Sequence, residues 1–243
     1  MKKSKCIQQI IFAILLSITS TIHAQTVEIL NTDSTLQLPK QKSFTFLQSQ
    51  TDTNSLKFVA TIKVTREGED VGLDFMFNKI KKVAQNMGAN TFKLNAYNKI
   101  DSLGINTFLL DIYYASDSIL EKNSANNQKN IVYVFGNPNK INHSTSFKID
   151  GNKKEIKGGT YFKYILDTKQ EVKINKGGLT GVTVWIKWKE NKPATFLTLT
   201  GFGVGGGAVP PPGQLGITFN TGRINYIDPD FGRLLISLLP EGE

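Results

Sequence analysis

The feature that most constrains the fold is the contrast between one helical apolar repeat and many short alternating segments. In residues 73–87 apolar side chains recur every three or four positions, which places them on one face of an α-helix. These side chains are Leu73, Phe77, Ile80, Val83, Ala84 and Met87. Asp70 or Asp74 can cap its start, and Gly88 fits the position past its end, where glycine enters the left-handed region at no steric cost. The sequence therefore predicts a helix that buries one face.

Strands are predicted on both sides of this helix. Residues 56–64 alternate apolar and polar side chains, and residues 91–96 and 107–115 do the same, which is the period of a half-buried strand. Residues 103–106 are assigned to the turn between the last two strands. The order strand, helix, strand, strand predicts a small α+β unit at residues 54–116.

Two polar segments flank this unit. Residues 25–53 form a lead-in with extended pieces at 27–30 and 43–47, so one or two edge strands are expected there. Residues 117–130 are rich in Ser, Asn, Gln and Lys and have no periodicity, which is typical of a linker.

Residues 131–243 are predicted to form a mostly antiparallel β-sandwich or open barrel. Short alternating segments recur there between turn signals such as Asp150-Gly151, and no amphipathic helix separates them. The strand candidates are residues 131–135, 145–149, 161–166, 171–174, 180–189, 195–200, 215–219 and 223–227. The apolar run at 234–239 fits a buried strand or a short helix, because periodicity does not separate the two over so short a run. The class expected for the whole chain is α+β.

Two stretches resemble known kinds of domain. The sequence Gly88-Ala89-Asn90, between the predicted helix and a strand, resembles the signature of YbjQ-like small bacterial α/β envelope domains, although Thr91 stands where that pattern has alanine. This resemblance covers residues 55–115 and implies a fold and an envelope context, with no catalytic residue. Residues 132–135, 149–151 and 159–162 resemble secreted β-domains of uncharacterised function.

Residues 1–24 have the pattern of a secretory signal peptide. Three lysines precede an apolar stretch at residues 10–22, and the small residue Ala24 precedes the expected cut. A membrane-spanning helix needs roughly 20 apolar residues, so we expect cleavage and no transmembrane segment afterwards. The protein is expected to be exported to the periplasm, the outer membrane or the medium. The single cysteine, Cys6, leaves with the signal, so the remaining chain has no disulfide and no thiolate.

The charge balance points to acidic partners. Removing residues 1–24 lowers the formal net charge from +9 to +6, and the excess lies in residues 131–243, with 14 basic and 9 acidic residues. Residues 25–130 have 12 basic and 11 acidic residues. This balance favours a protein, a glycan or an acidic surface of the envelope as partner, and nucleic acid is not expected. Because the lysines are scattered, an ordinary solvated surface is the alternative.

One motif matches the sequence of a dinucleotide-binding loop but is not followed by the helix that such a site needs. Residues 201–206 read G-x-G-x-x-G after a strand candidate. A dinucleotide site also needs a helix starting at the loop, so that its N-terminal amides meet the pyrophosphate. Here the loop leads into three prolines at 210–212, which forbid a helix interior. We therefore expect a Gly/Pro loop and no cofactor.

Metal, triad and paired-carboxylate chemistry also lack candidates. His143 is the only histidine after residue 24 and lies in a polar turn, which excludes histidine-rich zinc sites. Residues 228–232 resemble a calcium loop faintly but lack its other ligands, so a type I turn between strands is expected. Glu67, Glu69 and Asp70 lie too close together in a charged turn to face each other across a cleft.

The most informative surface is the predicted strand around Trp185. Alternation places Trp185, Lys187 and Lys189 on one face and apolar residues on the other. An indole beside two ammonium groups can stack a ring and hold an anion, so these three residues form a candidate binding site. The competing interpretation, favoured by the usual burial of tryptophan, is that Trp185 packs under a loop or against the first domain while the lysines extend past it.

Three functions remain open from the sequence. The first is an exported, non-catalytic binding or envelope-associated protein whose recognition surface lies on the basic β-domain. The second is a secreted hydrolase that uses Asp or Glu carboxylates, and the third is an assembly component whose strand edges pair with another chain. Two facing acids in a pocket would favour the second, and a long unpaired apolar edge would favour the third.

Overall fold

In the computed structural model, residues 26–33, 35–65, 72–100, 104–138, 143–177, 181–199 and 223–242 are described, and they form three β-sheets and three α-helices. The α+β class expected from the sequence is confirmed. The predicted signal peptide, the acidic turn at 67–70, the G-x-G-x-x-G loop and the strand candidate at 215–219 lie outside the described residues.

The first sheet is built around the predicted strand, helix, strand, strand unit. Its strand order is β1-β3-β5-β4-β2, antiparallel except for the β2–β4 pair. The strands are β1 (Thr26–Thr32), β2 (Thr45–Phe46), β3 (Lys57–Thr65), β4 (Thr91–Ile100) and β5 (Gly104–Tyr114). Both edge strands come from the polar lead-in, as expected. Residues 104–106 belong to β5, so their assignment to the connecting turn was wrong.

Helix α1 (Leu73–Asn86) follows the predicted apolar repeat. Its buried side chains are Leu73, Met76, Phe77, Ile80 and Ala84. Gly88 lies past its end with φ of +88°, and a Cβ there would come within 2.3 Å of the Leu38 Cβ, which explains the glycine. The expected cap at Asp74 was wrong, because Gly72 is the N-cap and Asp74 lies in the first turn; the alternative cap, Asp70, lies outside the described residues.

Two four-stranded sheets follow. The second has the order β13-β12-β6-β9 and the third β11-β10-β7-β8. Their strands are β6 (Ile131–Phe135), β7 (Ser144–Ile149), β8 (Asn152–Lys157), β9 (Tyr161–Ile165), β10 (Glu171–Lys176), β11 (Val182–Lys187), β12 (Thr195–Thr198) and β13 (Asn225–Tyr226). Only the β6–β12 pair is parallel among these strands. Apolar side chains of both sheets form one buried cluster, including Val134 and Leu197 from the second and Ile149 and Ile174 from the third.

The segment expected to be a linker contains helix α2 (Asp117–Ala125). This helix has no apolar stripe, and Asn123 is its only buried residue. The Asn123 amide donates from Nδ2 to the Phe46 carbonyl at 3.0 Å, and its Oδ1 accepts from the backbone N–H of Gln48 at 2.8 Å. The helix is held by tertiary hydrogen bonds of this one side chain, which periodicity does not reveal.

Residues 228–232 begin helix α3 (Pro229–Leu238), so the expected turn between strands was wrong. The Asp228 carboxylate accepts from the backbone N–H groups of Asp230 and Phe231 at 2.8 and 3.2 Å, and Pro229 occupies the first turn, where its missing N–H costs nothing. Gly232 lies against the Phe196 ring, where a Cβ would come within 2.4 Å of it. The apolar run that fitted a strand or a helix is therefore helical.

A second buried cluster joins α1, α3, the first sheet and one face of the second sheet. Phe231 of α3 stacks on Phe77 of α1 with ring centroids 5.1 Å apart, and Tyr133 stacks on Phe196 at 5.4 Å. The second sheet is therefore covered on both faces. No helix among the described residues has both the length and the apolar composition needed to cross a bilayer.

Candidate binding surface

Strand β11 is an edge strand of the third sheet, and its alternation sets the candidate site. Ile186 points inward and is 2% exposed, while Trp185 and Lys187 are exposed on the opposite face. Its partner β10 runs antiparallel, with Trp185 opposite Lys173 and Lys187 opposite Glu171.

Trp185 is 57% exposed, so the interpretation in which it packs under a loop was wrong. The ammonium group of Lys173 lies 5.8 Å from the centroid of its ring, within the range of a cation–π contact. The indole is therefore held beside a positive charge and remains open to solvent over more than half its surface.

Lys187 and Lys189 are placed differently from the sequence expectation. Lys187 shares the Trp185 face, but its Nζ lies 2.9 Å from Oε2 of Glu171, an exposed ion pair that partly neutralises it. Lys189 lies beyond the end of β11, and its backbone N–H donates to Oδ1 of Asn130 at 3.2 Å. The structure brings Lys187 to Trp185 and leaves Lys189 outside the strand face.

Three further lysines lie on this face that the sequence pattern did not predict there. Lys173 neighbours Trp185, and Lys148 of β7 lies directly opposite Lys153 of β8. Lys148 also pairs with Asn175, two residues along β10 from Lys173. No carboxylate in the described part of the chain lies within 4.0 Å of these three ammonium groups. We call Trp185, Lys173, Lys148 and Lys153 the lysine–tryptophan face.

The signal that could have located this face is the turn between β7 and β8. Asp150 and Gly151 have φ of +49° and +85°, as the Asp-Gly type of hairpin turn requires. A two-residue hairpin fixes the register, and that register places Lys148 opposite Lys153. Apolar alternation did not predict strand β8, because Ile156 is its only apolar residue.

The lysines on the inner side of the third sheet behave differently. The Lys176 ammonium group donates to the Leu199 carbonyl, and burial lowers the pKa of Lys176. Lys154 lies over the Phe162 ring at 6.0 Å from its centroid. These two lysines lie on the inner side of the sheet and are not part of the lysine–tryptophan face.

Two cavities are alternative candidate sites. A cavity of about 410 Å³ between β8, β9 and the last described residues is lined by Glu155 and Glu241. Both side chains belong to exposed residues, whereas a general acid needs a carboxyl group partly removed from water. A smaller cavity of about 120 Å³ lies beside Arg233, whose Nη1 is 2.9 Å from Oδ1 of Asp230.

Residues with metal-binding side chains do not converge. No group of three or more His, Cys, Asp or Glu side chains suited to a metal ion occurs in the ranges that the structure describes. His143 is exposed in a loop, as expected, and Asp228 serves as a helix cap. The carboxylates at residues 67–70 lie outside those ranges.

The chain matches no protein-family model, and searches of curated proteins and of solved structures also return no match. The interpretation of the site therefore depends on its own geometry and charge.

Proposed function

We propose that this chain is an exported, non-catalytic binding protein that recognises an acidic partner or surface through the lysine–tryptophan face. The observation that carries the proposal is a half-exposed indole on a sheet face that also carries three lysines, one of them 5.8 Å from the ring, whose ammonium groups have no carboxylate partner among the described residues. Export is supported by the pattern of residues 1–24 alone. We also infer that the second and third sheets form a β-sandwich, which supports this face as a rigid platform.

The charges on this face are arranged in a way that costs stability. Like charges directly opposite each other on antiparallel strands are destabilising, and Lys148 and Lys153 occupy such a pair. An anion placed between them relieves this repulsion. The arrangement therefore supports binding of a negative ligand.

The proposal is tested by capture of the purified protein on acidic matrices at low and high salt. We expect it to bind sulfated or carboxylated beads and anionic vesicles more strongly than neutral beads. The triple variant Lys148→Gln, Lys153→Gln, Lys173→Gln should lose this binding. A control triple variant at the exposed residues Lys42, Lys82 and Lys122 has the same net charge and should keep it. Equal loss in both variants would show that only net charge matters.

The assembly function has one observation in its favour and one against it. Edge strand β1 exposes Ile29 and Leu30 by 49% and 51%, as a pairing edge would. However, its register with β3 shifts between Ile29 and Asn31, and a bulge of this kind bends an edge away from further pairing. For the hydrolase function, neither of the two cavities described above is lined by a pair of partly buried carboxylates.

A further inference from the structure

The positions of the three lysines without a carboxylate partner among the described residues indicate which class of acidic ligand fits this face. Lys173, Lys148 and Lys153 lie on successive strands β10, β7 and β8, so they form a diagonal line that starts at Trp185. The line crosses three strand spacings and shifts by two residues, a span of about 16 Å at the usual sheet dimensions. This span runs from Trp185 to Lys153, so a ligand that packs on the indole and also contacts all three lysines is longer than a single small anion.

We propose that the ligand of the lysine–tryptophan face is an acidic polysaccharide that lies along this diagonal. One sugar ring packs on Trp185, and the acid groups of the following rings meet Lys173, Lys148 and Lys153. This inference rests on the proposed function and adds the ligand class. It requires an extended ligand that repeats both a ring and a negative charge.

Polar side chains that flank the lysines on this face fit a ligand with many hydroxyls. Asn175 and Thr183 lie on the same face as Trp185, and the Asn175 Nδ2 donates to the Thr183 Oγ1 at 2.8 Å. Ser146 lies next to Lys148 on this face, at the alternate position of β7. These short polar side chains offer donors and acceptors at the level of the sheet, as a polyhydroxylated chain needs.

The number of aromatic side chains argues against single-stranded nucleic acid. Proteins that hold such strands stack successive bases on several aromatic side chains. On the outward positions of the four described strands of the third sheet, Trp185 is the only aromatic residue. One ring and a row of lysines suit a polymer whose main contacts are charge and hydroxyl groups.

The test measures dissociation constants by calorimetry for five probes. They are carboxylated oligogalacturonates of increasing length, sulfated heparin oligosaccharides, neutral dextran, oligothymidylate and phosphatidylglycerol vesicles. We expect the two acidic glycans to bind, with affinity that rises with length until the ligand spans the diagonal. Trp185→Ala should weaken their binding about ten-fold, since a stacked ring is lost. Trp185→Phe should restore most of it.

Matched variants separate the face from the rest of the molecule. The double variant Lys148→Gln, Lys153→Gln should weaken glycan binding and make it less dependent on salt, because fewer charges are neutralised. Tyr226→Ala, which removes a 64% exposed aromatic residue of the second sheet, should leave the binding unchanged.

Each other outcome decides against this inference. Preferential binding of vesicles or oligothymidylate, with loss on the lysine changes, would overturn the polysaccharide but leave the proposed function intact. If neutral dextran bound as tightly as the acidic glycans, charge would not contribute to binding. That result would overturn both this inference and the proposed function. A failure of every probe and acidic matrix to bind would overturn the proposed function itself.

Discussion

At the scale of single residues, Asn90 shows what the Gly88-Ala89-Asn90 sequence does in this fold. Its side chain donates from Nδ2 to the Ala115 carbonyl and accepts the Ala115 N–H at Oδ1, both at 2.8 Å. Asn90 is 4% exposed, and Ala89 is fully buried after Gly88 has turned the chain. The three residues therefore join the end of α1 to the end of β5, a structural role.

Replacing Asn90 with alanine should lower the free energy of unfolding by about 3 kcal/mol. The change leaves the N–H and carbonyl of buried Ala115 without partners, and each such group costs about 1–3 kcal/mol. Urea unfolding measures the loss. Asn95→Ala, which removes an exposed hydrogen bond to Asp111, is the control and should change stability by less than about 0.5 kcal/mol. A loss at Asn90 no larger than the control would contradict the account.

Asp74 should make stability depend on pH. Burial raises the pKa of Asp74 above its ordinary value of 3.8, and its Oδ1 has no hydrogen-bond partner among the described residues. The folded chain therefore binds this proton more tightly than the unfolded chain does. This contribution to the free energy of unfolding falls as pH rises from about 3.8 through the folded pKa.

Asp74→Asn should accordingly stabilise the protein at pH 7 and have little effect below pH 3, as followed by thermal unfolding. Asp33→Asn is the control with the opposite sign, because hydrogen bonds from Thr35 lower the pKa of the exposed Asp33. The Asp33 contribution is present above pH 3.8 and is lost as pH falls through its folded pKa. Destabilisation by Asp74→Asn at pH 7 would show that its charge is favourable in the folded state.

At the scale of elements, the β7–β8 hairpin combines a strong turn with an unfavourable charge pair. The Asp150-Gly151 turn fixes a register of six residue pairs, among them Lys148 with Lys153. Lysine side chains on β8 also protect an edge strand against pairing with other chains. Stability and recognition are therefore expected to respond in opposite directions to changes in this hairpin.

Lys153→Glu should raise the free energy of unfolding by about 0.5–1 kcal/mol while it weakens binding to acidic matrices. The change converts a like-charge pair across the strands into an opposite-charge pair. Lys157→Glu is a matched control on the same strand, since Lys157 lies opposite Ser144 and has no such pair to relieve. Chemical unfolding and capture on sulfated beads provide the two measurements. Stronger binding by the Lys153 variant would contradict the account.

The elements that could be predicted are those whose own sequence has an apolar periodicity. Helix α1 has an apolar stripe, and β6 has its expected bounds. Helix α2 depends on contacts of Asn123 with Phe46 and Gln48, some 75 residues distant, and only the folded chain creates them. The candidate site divides in the same way, because one strand predicts Trp185 and Lys187 while the other lysines require cross-strand register.

At the scale of the whole molecule, the layers determine which surface is free to bind. The second sheet is covered by α3 and the first sheet on one face and by the third sheet on the other. The third sheet buries only its inner side chains, such as Phe147 and Ile174, in the shared cluster. Among the described residues its outer face is therefore uncovered and supported by a close-packed interior, which is suited to hold a ligand without rearrangement.

The most direct test of the account is the fluorescence of Trp185 during binding. The chain has two tryptophans, and Trp188 is the partly buried one, so the variant Trp188→Phe leaves Trp185 as the only emitter. Binding of an acidic matrix or glycan should shift the Trp185 emission to shorter wavelength and protect it from acrylamide quenching, and salt should reverse both effects. Binding that leaves the emission and the quenching of Trp185 unchanged would contradict the account.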